Sequence, residues 1–415
     1  MNILAALILC VILGNALLHF IADLLNLRSV RADLPAAFQE LYDARRYATA
    51  QKYLGARTHF GWVVSAMDLL AILVFWFAGG FARLDLWVRG TDLPTLVRGL
   101  LYITVLLSLK ALIGLPSGIY ATFVIEERFG FNQTTLATFV KDKIKALLLA
   151  VLLVGPLLTA VLAFLQYAGP NAWWYCWLAT VGFMLVGQYV APTWIMPLFN
   201  RFDPLPPGEL REAIMAYADS IHLILDNIFI MDGSKRSTKS NAFFTGFGRR
   251  RRIVLFDTLI ERHGVDELVA ILAHEMGHFK QKHILKMLLL GILQAGLMFF
   301  ILSFFLSYKP LFTAFYVSDV SIYAGLVLFG LLYAPLDHLA EMITLHISRR
   351  HEYAADSFAV RTTESAGALI TALKKLTIDN LSNLQPHPFY VFLNYSHPPV
   401  LQRIAAIEKQ LFRQT

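Results

Sequence analysis

Residues 265–307 read VDELVAILAHEMGHFKQKHILKMLLLGILQAGLMFFILSFFLS and join two kinds of helical pattern. The first part mixes charged and apolar residues, which is typical of a helix with one buried face. The second part, 284–307, contains only one charged residue, Lys286. It is longer than the roughly 20 residues that a helix needs to cross a bilayer. The stretch therefore predicts an amphipathic helix that leads directly into a transmembrane helix.

Six more segments resemble the second part of this stretch. They are apolar and long enough to span a membrane, and they cover residues 2–25, 61–81, 99–124, 146–168, 172–199 and 319–346. Of the 415 residues, 57% are hydrophobic and 16% are charged, whereas soluble domains average about 45–50% and about 25%. The first segment lacks a basic stretch before it, so we expect a retained helix instead of a cleaved signal peptide. The sequence predicts an all-α multi-pass membrane protein with seven transmembrane helices.

Loops rich in Lys and Arg alternate with loops that contain few of them. The loop after the first span carries six Lys or Arg residues, whereas the turn at 166–172 carries none. The positive-inside rule then places the N-terminus outside and the C-terminus in the cytoplasm, in a bacterial inner membrane or the endoplasmic reticulum. The net charge of +7 is explained by this orientation, so no nucleic-acid partner is needed.

Two segments on the predicted cytoplasmic side are long enough to fold. Residues 200–283 read as a helix, a short strand at 227–231, a hairpin and a second helix. Residues 347–415 read mostly as helix with a loop at 385–399. Since the spans at 284–346 separate these segments, we expect them to pack together as one catalytic unit, next to an N-terminal region of five transmembrane helices at 1–199.

The amphipathic helix contains the motif His274-Glu275-Met276-Gly277-His278. Two histidines at i and i+4 lie on one helical face, where both imidazoles can bind one zinc ion. Zinc lowers the pKa of a bound water molecule towards 7, and Glu275 is placed to accept the proton as that water attacks a peptide carbonyl. The pattern predicts a hydrolase without a covalent intermediate.

A catalytic zinc site needs a third protein ligand and an open fourth position. Cys10 and Cys176, the two cysteines of the chain, lie in apolar segments and predict neither a disulfide framework nor a thiolate site. The candidate ligands are therefore Asp337, His338, Glu341, His346, Glu352 and Asp356. Glu352 and Asp356 share one helical face, so Glu352 could bind zinc while Asp356 accepts a hydrogen bond from a ligand histidine. A solvated surface pair is the alternative.

Together these motifs resemble the type I CAAX prenyl proteases, which are integral-membrane zinc endopeptidases of the gluzincin class. The matching pieces are 126–132 (EERFGFN), 274–278, 352–356, 395–399 (YSHPP) and Arg403. The resemblance implies seven helices around a water-filled chamber, with a gluzincin-type zinc metalloprotease domain on the cytoplasmic side. It also implies that Glu352 is the third ligand of a single zinc ion.

The resemblance suggests roles for two residues near the C-terminus. His397 matches the family's histidine near the metal, where an imidazole could stabilise the oxyanion of a tetrahedral intermediate. Arg403 matches the arginine that follows it, and we expect it to hold a carboxylate in the site. A helix-capping role for His397 and a structural role for Arg403 are the alternatives.

A hairpin precedes the zinc motif. Residues 240–248 read as a strand and a turn, with 253–256 as the return strand. In gluzincins such an edge strand aligns the substrate by backbone hydrogen bonds, so Asn241 and Ala242 are candidates for substrate contact, with an ordinary hairpin as the alternative. The arginines at 249–252 lack a nucleic-acid recognition motif and predict a turn that faces lipid headgroups.

Several ionisable residues lie inside the predicted spans, where they are costly unless they face water or a partner. Asp68 and Lys110 are examples, and a polar stripe follows the last span. Its members fall within about 100° on a helical wheel: Asp337, Glu341, Ser348, Glu352 and Asp356. We expect this stripe to line the chamber, although Pro335 could kink the helix.

The sequence therefore predicts a membrane-embedded zinc endopeptidase in which Glu275 is the general base. Its substrates would be prenylated CAAX-type or other hydrophobic peptides, cut near the C-terminus. One alternative is a quality-control protease of the heat-shock type, although that family has a smaller membrane topology. A second alternative is a polytopic transporter or receptor in which the His-Glu-x-x-His pattern is incidental.

Overall fold

Seven long apolar helices dominate the computed structural model, which describes residues 2–225, 227–245 and 252–412. We call them spans 1 to 7, and in the described chain they are Ile3–Arg28, Ala44–Phe77, Thr95–Glu126, Leu136–Tyr167, Gly169–Phe199, His283–Phe305 and Ile322–Thr363. Each overlaps one predicted segment, so the seven-helix prediction is confirmed. Spans 2, 4 and 7 extend well beyond their apolar segments, because a helix continues where its surroundings become polar although the hydropathy signal ends there.

The spans surround an open interior. Spans 3 to 7 form a closed ring in which each helix contacts the next and span 7 returns to span 3. Span 7 also contacts span 4, and span 1 contacts spans 2 and 7. In the most apolar part of each span, between 0% and 17% of the residues are buried. A solid bundle would bury one face of every helix, so this low burial matches helices arranged around a chamber.

Shorter elements complete the described chain. Three π-helical stretches lie within spans 3, 4 and 5, at Ala121–Glu126, Ala150–Val154 and Ala191–Ile195. Turns of 3-10 helix occupy Ala36–Phe38, Gly169–Asn171 and Gly233–Lys235. The other helices are α1 Gly80–Arg89, α2 Glu209–Ser220, α3 Asp257–Ile260, α4 Val265–Lys280, α5 Lys309–Ala314, α6 Ala366–Asp379, α7 Pro388–Asn394 and α8 Val400–Leu411. The predicted loop at 385–399 therefore contains a short helix, α7.

One end of the ring is closed by an apolar core. Helices α1 and α5 pack there with the ends of the spans, and Trp76 donates a hydrogen bond from Nε1 to the carbonyl oxygen of Ala314 at 2.8 Å. Asp85 is buried and accepts hydrogen bonds from Tyr323 and Arg89, both at 2.7 Å. Both oxygens of this buried carboxylate are thus satisfied, which a charge inside a core requires.

The other end carries a small mixed sheet. Its strands are β1 Phe202–Pro204, β2 Asn227–Met231, β3 Ala242–Thr245 and β4 Arg252–Phe256, in the order β1-β2-β4-β3. The strand at 227–231 and the hairpin of β3 with β4 match the predictions. The parallel pairing of β2 with β4 places β3 at an edge of the sheet. Residues 246–251, which include three of the arginines predicted to face lipid headgroups, lie outside the described residues.

The two segments on either side of spans 6 and 7 share one hydrophobic core. Ile214, Leu255 and Leu272 of the first segment are buried together with Ala359 and Leu373 of the second. Each fully buried leucine or isoleucine contributes about 1.5–3 kcal/mol relative to exposure. Their common burial brings the chain on the far side of the two spans back to the zinc-motif helix.

Helix α4 lies directly against the extension of span 7. The side chain of Glu267 caps its start, because the backbone N–H of Gly264 donates to Glu267 Oε2 at 3.2 Å. A Cβ atom at Gly277 would lie 3.1 Å from Phe358 and 3.3 Å from Ala355, so the glycine allows this close packing. As a result, the histidines of α4 face Glu352.

Candidate metal centre

His274 and His278 converge as their spacing predicts. Their Nε2 atoms lie 3.1 Å apart. Glu352, from the extension of span 7, places Oε1 3.2 Å from His278 Nε2 and Oε2 3.4 Å from His274 Nε2. Ligand atoms in tetrahedral contact with Zn²⁺ at about 2.0–2.1 Å lie about 3.3 Å from one another. The three side chains thus have the spacing of a tetrahedral zinc site.

The burial of these side chains also supports a metal site. His274 and Glu352 are buried, and Glu352 Oε2 has no hydrogen-bond donor. A buried carboxylate oxygen without a partner is costly, and a cation between the three side chains would satisfy it. Among the described residues, His274, His278 and Glu352 form the one group of His, Cys, Asp or Glu side chains with a ligand spacing.

Asp356 orients the first histidine. His274 Nδ1 lies 2.8 Å from Asp356 Oδ1, so the imidazole donates to the carboxylate and its Nε2 remains directed at Glu352. Burial alone would lower the pKa of His274, but its hydrogen bond to Asp356 and the adjacent carboxylate of Glu352 raise that pKa to about 9. The site thus attracts a positive charge at Nε2, either a proton or a metal ion.

Arg403 of α8 holds Asp356 in turn. Its Nε donates to Oδ2 at 2.8 Å and its Nη2 donates to Oδ1 at 2.6 Å, which is the two-pronged geometry that an arginine makes with a carboxylate. Arg403 Nη1 also lies 3.6 Å from Glu352 Oε2. The carboxylate that Arg403 was expected to hold is thus principally Asp356.

Glu275 follows His274 on α4 and is partly buried. Burial raises its pKa, although the nearby His274 and His278 lower it in part. A carboxylate with a raised pKa is a stronger base than one in water. The environment of Glu275 therefore suits proton transfer.

His397 lies on the open side of the three ligands. Its Nε2 is 3.3 Å from Glu352 Oε1, and its side chain is 62% exposed. Its Nδ1 lies 2.9 Å from the hydroxyl of Ser396. Arg349, one turn before Glu352, donates to the carbonyl oxygens of Val391 and Tyr395 and so holds this segment against span 7. Sequence reasoning missed Arg349, because its only signal was the helical spacing to Glu352.

Edge strand β3 lies beside α4. Phe256 N–H donates to the carbonyl oxygen of Asn241 at 3.1 Å, so Asn241 directs its backbone towards β4. In an antiparallel pair the residues alternate, and Ala242 and Phe244 direct their backbone groups to the outer edge of the sheet. The Ala242 N–H donates there to Asn241 Oδ1 at 2.8 Å. Asn241 is exposed, whereas the side chain of Ala242 is buried.

The motif at 126–132 contacts the chain just before this strand. Lys239 Nζ lies 2.8 Å from both Glu126 Oε2 and Tyr53 Oη, and it also lies over the ring of Phe131. Gln133 N–H donates to the carbonyl oxygen of Arg236 at 3.1 Å. The motif thus fixes the approach to β3, and the role of Lys239 was not predicted.

Other candidate ligands lie away from the site. Asp337, His338, Glu341 and His346 do not join the group of three. His338 Nδ1 lies 3.5 Å from Glu341 Oε2, and its ring contacts His19 of span 1. Span 7 continues as a helix through Pro335, and the expectation that Asp337 and Glu341 line the chamber stays a prediction.

Comparisons with known proteins agree with this geometry. Residues 23–201 match the CAAX prenyl protease N-terminal family of five membrane helices, and residues 204–411 match peptidase family M48. The chain is 34% identical to CAAX prenyl protease 1 of Saccharomyces cerevisiae over 90% of its length and 88% of the relative. It is 34% identical to a CAAX prenyl protease 1 homolog of Arabidopsis thaliana, with coverage of 92% and 93%.

A solved structure shows the same fold. The crystal structure of S. mikatae Ste24p superposes with a TM-score of 0.92 at 30% identity, over 98% of this chain and 100% of that one. Neither the transporter nor the receptor alternative is favoured by these matches. A His-His-Glu group lies at one end of the seven-helix membrane ring, and the two family matches together cover residues 23–201 and 204–411. The chain therefore belongs to the type I CAAX prenyl protease family of membrane metalloendopeptidases.

Proposed function

We propose that this protein is a zinc endopeptidase that cleaves prenylated CAAX-type or other hydrophobic peptides near their C-terminus. The observation that carries the proposal is the triangle of His274, His278 and Glu352, whose ligand atoms lie 3.1–3.4 Å apart beside an edge strand. The three residues would hold one Zn²⁺ ion. That ion supplies Lewis-acid chemistry that makes water nucleophilic near neutral pH.

The protein's own groups move the protons. Glu275 accepts a proton from the attacking water and returns it to the leaving amine, a role that contributes about 10²–10⁴-fold in rate. His397 donates to the carbonyl oxygen as negative charge develops there. Asp356 and Arg403 keep His274 in one tautomer and one orientation throughout the cycle.

The substrate would add a strand to the sheet. The outward backbone groups of Ala242 and Phe244 supply hydrogen bonds that do not depend on side-chain identity, once the peptide replaces Asn241 Oδ1 as acceptor of the Ala242 N–H. Asn241 contacts the peptide at the start of the strand. This mode of binding suits an enzyme that accepts varied sequences.

Two observations support a lipid-modified or apolar substrate. The relatives are named as prenyl proteases, and the metal site lies at one end of a ring of apolar spans. The concentration of Lys and Arg in alternate loops further supports a cytoplasmic metal site, with the N-terminus outside. On this reading, residues 200–283 and 347–415 form the protease domain.

The test uses the full-length protein in detergent. Zinc stoichiometry is measured, and cleavage of a farnesylated CAAX peptide is compared between wild type and Glu275→Gln. We expect one zinc ion per chain and a loss of about 10²–10⁴-fold in kcat for the variant. Asp266→Asn, at an exposed position on the same helix, is the matched control and should retain full activity.

Two results would contradict the proposal. One is a zinc content near zero in active protein, and the other is undiminished cleavage by Glu275→Gln. The same peptide without the farnesyl group separates the substrate classes, since equal kcat/KM for both forms would leave a hydrophobic-peptide protease and remove the prenyl specificity.

A further inference from the structure

A third histidine lies behind His278, on the side away from Glu352. His283 Nδ1 is 3.0 Å from His278 Nδ1, and His283 is 4% exposed. The ring of His283 stacks on the ring of His351 at 3.9 Å between centroids and 8° between planes. The motif His-Glu-x-x-His does not include either residue.

The contact between the two Nδ1 atoms fixes a tautomer. Two ring nitrogens 3.0 Å apart form a hydrogen bond only when one carries a proton and the other offers a lone pair. His278 Nε2 faces His274 and Glu352, and it must offer its own lone pair to bind a cation. The proton of His278 is then on Nδ1, so His283 is the acceptor and carries its proton on Nε2.

His283 also lies where three elements meet. Only Gln281 and Lys282 separate α4 from span 6, and Lys282 has φ of +58°, which turns the chain sharply so that the first residue of the span returns to face His278. His351 directly precedes Glu352 on span 7. Gln281 Nε2 donates to the carbonyl oxygen of Ala354 at 2.9 Å. The stacked pair thus connects the helix of His278 to the helix of Glu352.

We infer that His283 is a positioning residue for the metal site: its Nδ1 accepts the His278 Nδ1 proton and keeps His278 Nε2 directed at the metal, while His351 supports its ring. This inference rests on the proposed metal binding of His278. His274 has a charged partner in Asp356, and His283 is the corresponding neutral partner of His278. The two ligand histidines are therefore held by different chemistry, and the neutral partner belongs to a membrane span.

The test separates the acceptor from the ring. His283→Asn keeps an acceptor oxygen near the position of Nδ1 and loses the stack, whereas His283→Phe keeps the stack and loses the acceptor. His351→Phe keeps the stack from the other side. Zn²⁺ affinity is measured by competition with a chelator on the full-length protein in detergent without peptide, and the absorption spectrum of the Co²⁺-loaded protein reports ligand geometry.

We expect His283→Phe to lose about 10–100-fold in Zn²⁺ affinity, as partners of metal ligands do, with a changed Co²⁺ spectrum. His283→Asn and His351→Phe should remain within about threefold of wild type. At saturating Zn²⁺, His283→Phe should lower kcat with little change in KM. If His283→Phe does not fold, His283→Leu serves as the acceptor-free variant.

Wild-type affinity and spectrum in the acceptor-free variant would overturn the inference, as would an equal loss in His283→Asn. If the wild type binds Zn²⁺ and His283→Phe binds it equally well, only the role of His283 is wrong. If the wild type binds no Zn²⁺, the proposed function fails together with this inference.

Discussion

Glu352 is a buried carboxylate surrounded by four groups that carry or can carry positive charge. His274, His278, His397 and Arg403 all lie within 3.6 Å of its oxygens. Glu352→Ala should therefore lose metal as well as activity. Its metal affinity should fall further than the roughly 10–100-fold loss seen when a hydrogen-bond partner of a ligand is removed. Metal content by mass spectrometry and peptide cleavage are the measurements. Glu408→Ala on α8, an exposed position, is the control, and full metal occupancy in Glu352→Ala would assign the third ligand elsewhere.

The proposed binding of a metal ion by His274 should depend on pH. In the metal-free protein its pKa is raised from 6.5 to about 9, so the bound proton stabilises the fold fully below pH 6.5 and this stabilisation is lost as the pH rises through about 9. A metal ion must displace that proton, so the apparent affinity should rise about tenfold per pH unit between about pH 7 and 9.

Asp356→Asn tests the cause of this dependence. The variant removes the charge that contributes most to the raised pKa of His274, so its affinity should stop rising at a lower pH than that of the wild type. Chelator competition at several pH values measures both curves. A wild-type curve that is already flat above pH 7 would contradict the prediction.

The helical spacing indicated the two histidines and drew attention to Glu352 and Asp356, while the family resemblance selected Glu352 among six candidate third ligands. His274 with His278, and Glu352 with Asp356, repeat at i and i+4, and that spacing is visible in the sequence. Arg349, Lys239 and His283 could not be assigned in this way. Their partners come from other elements, and only the packing of α4 against spans 6 and 7 brings them together.

At the scale of elements, the proposed alignment of the substrate depends on the outer edge of β3. Ala242→Pro removes an outward N–H, which donates to Asn241 Oδ1 without substrate, and leaves the ladder to β4 intact. The value of kcat/KM should therefore fall by up to about tenfold, the equivalent of one hydrogen bond of about 1–1.5 kcal/mol. The same substitution one residue along, Phe243→Pro, removes a ladder bond and should lower the melting temperature as well. Unchanged kcat/KM in Ala242→Pro would exclude strand addition at this edge.

In the sheet, sequence patterns indicate the individual strands but not which strands pair. Strand β2 and the β3–β4 hairpin follow from short apolar runs and their turns. The parallel pairing of β2 with β4 joins residues that are 25 positions apart, as in Asn227 with Arg252. Nothing local to either strand indicates that partner, and the edge position of β3 depends on it.

At the scale of the whole molecule, the number of spans can be predicted from the lengths of the apolar segments. The arrangement of the spans around an interior cannot. A segment of about 20 apolar residues predicts a crossing and says nothing about which helices are neighbours. The ring of spans 3 to 7 and its apolar closure at one end by α1 and α5 result from packing between segments that are distant in sequence.

The polar stripe of span 7 offers a test of that enclosure. Glu341 and Ile343 both have exposed side chains in the structure, yet they lie about 200° apart on the helix at 100° per residue. If the ring surrounds water, Glu341 faces it and Ile343 faces lipid. In a protein with Cys10→Ser and Cys176→Ala, Glu341→Cys should react with a membrane-impermeant maleimide in detergent-free proteoliposomes, whereas Ile343→Cys should react at least about tenfold more slowly because thiolates form poorly in hydrocarbon. Equal rates would mean that both faces share one environment, and an unreactive Glu341→Cys would place the stripe against lipid.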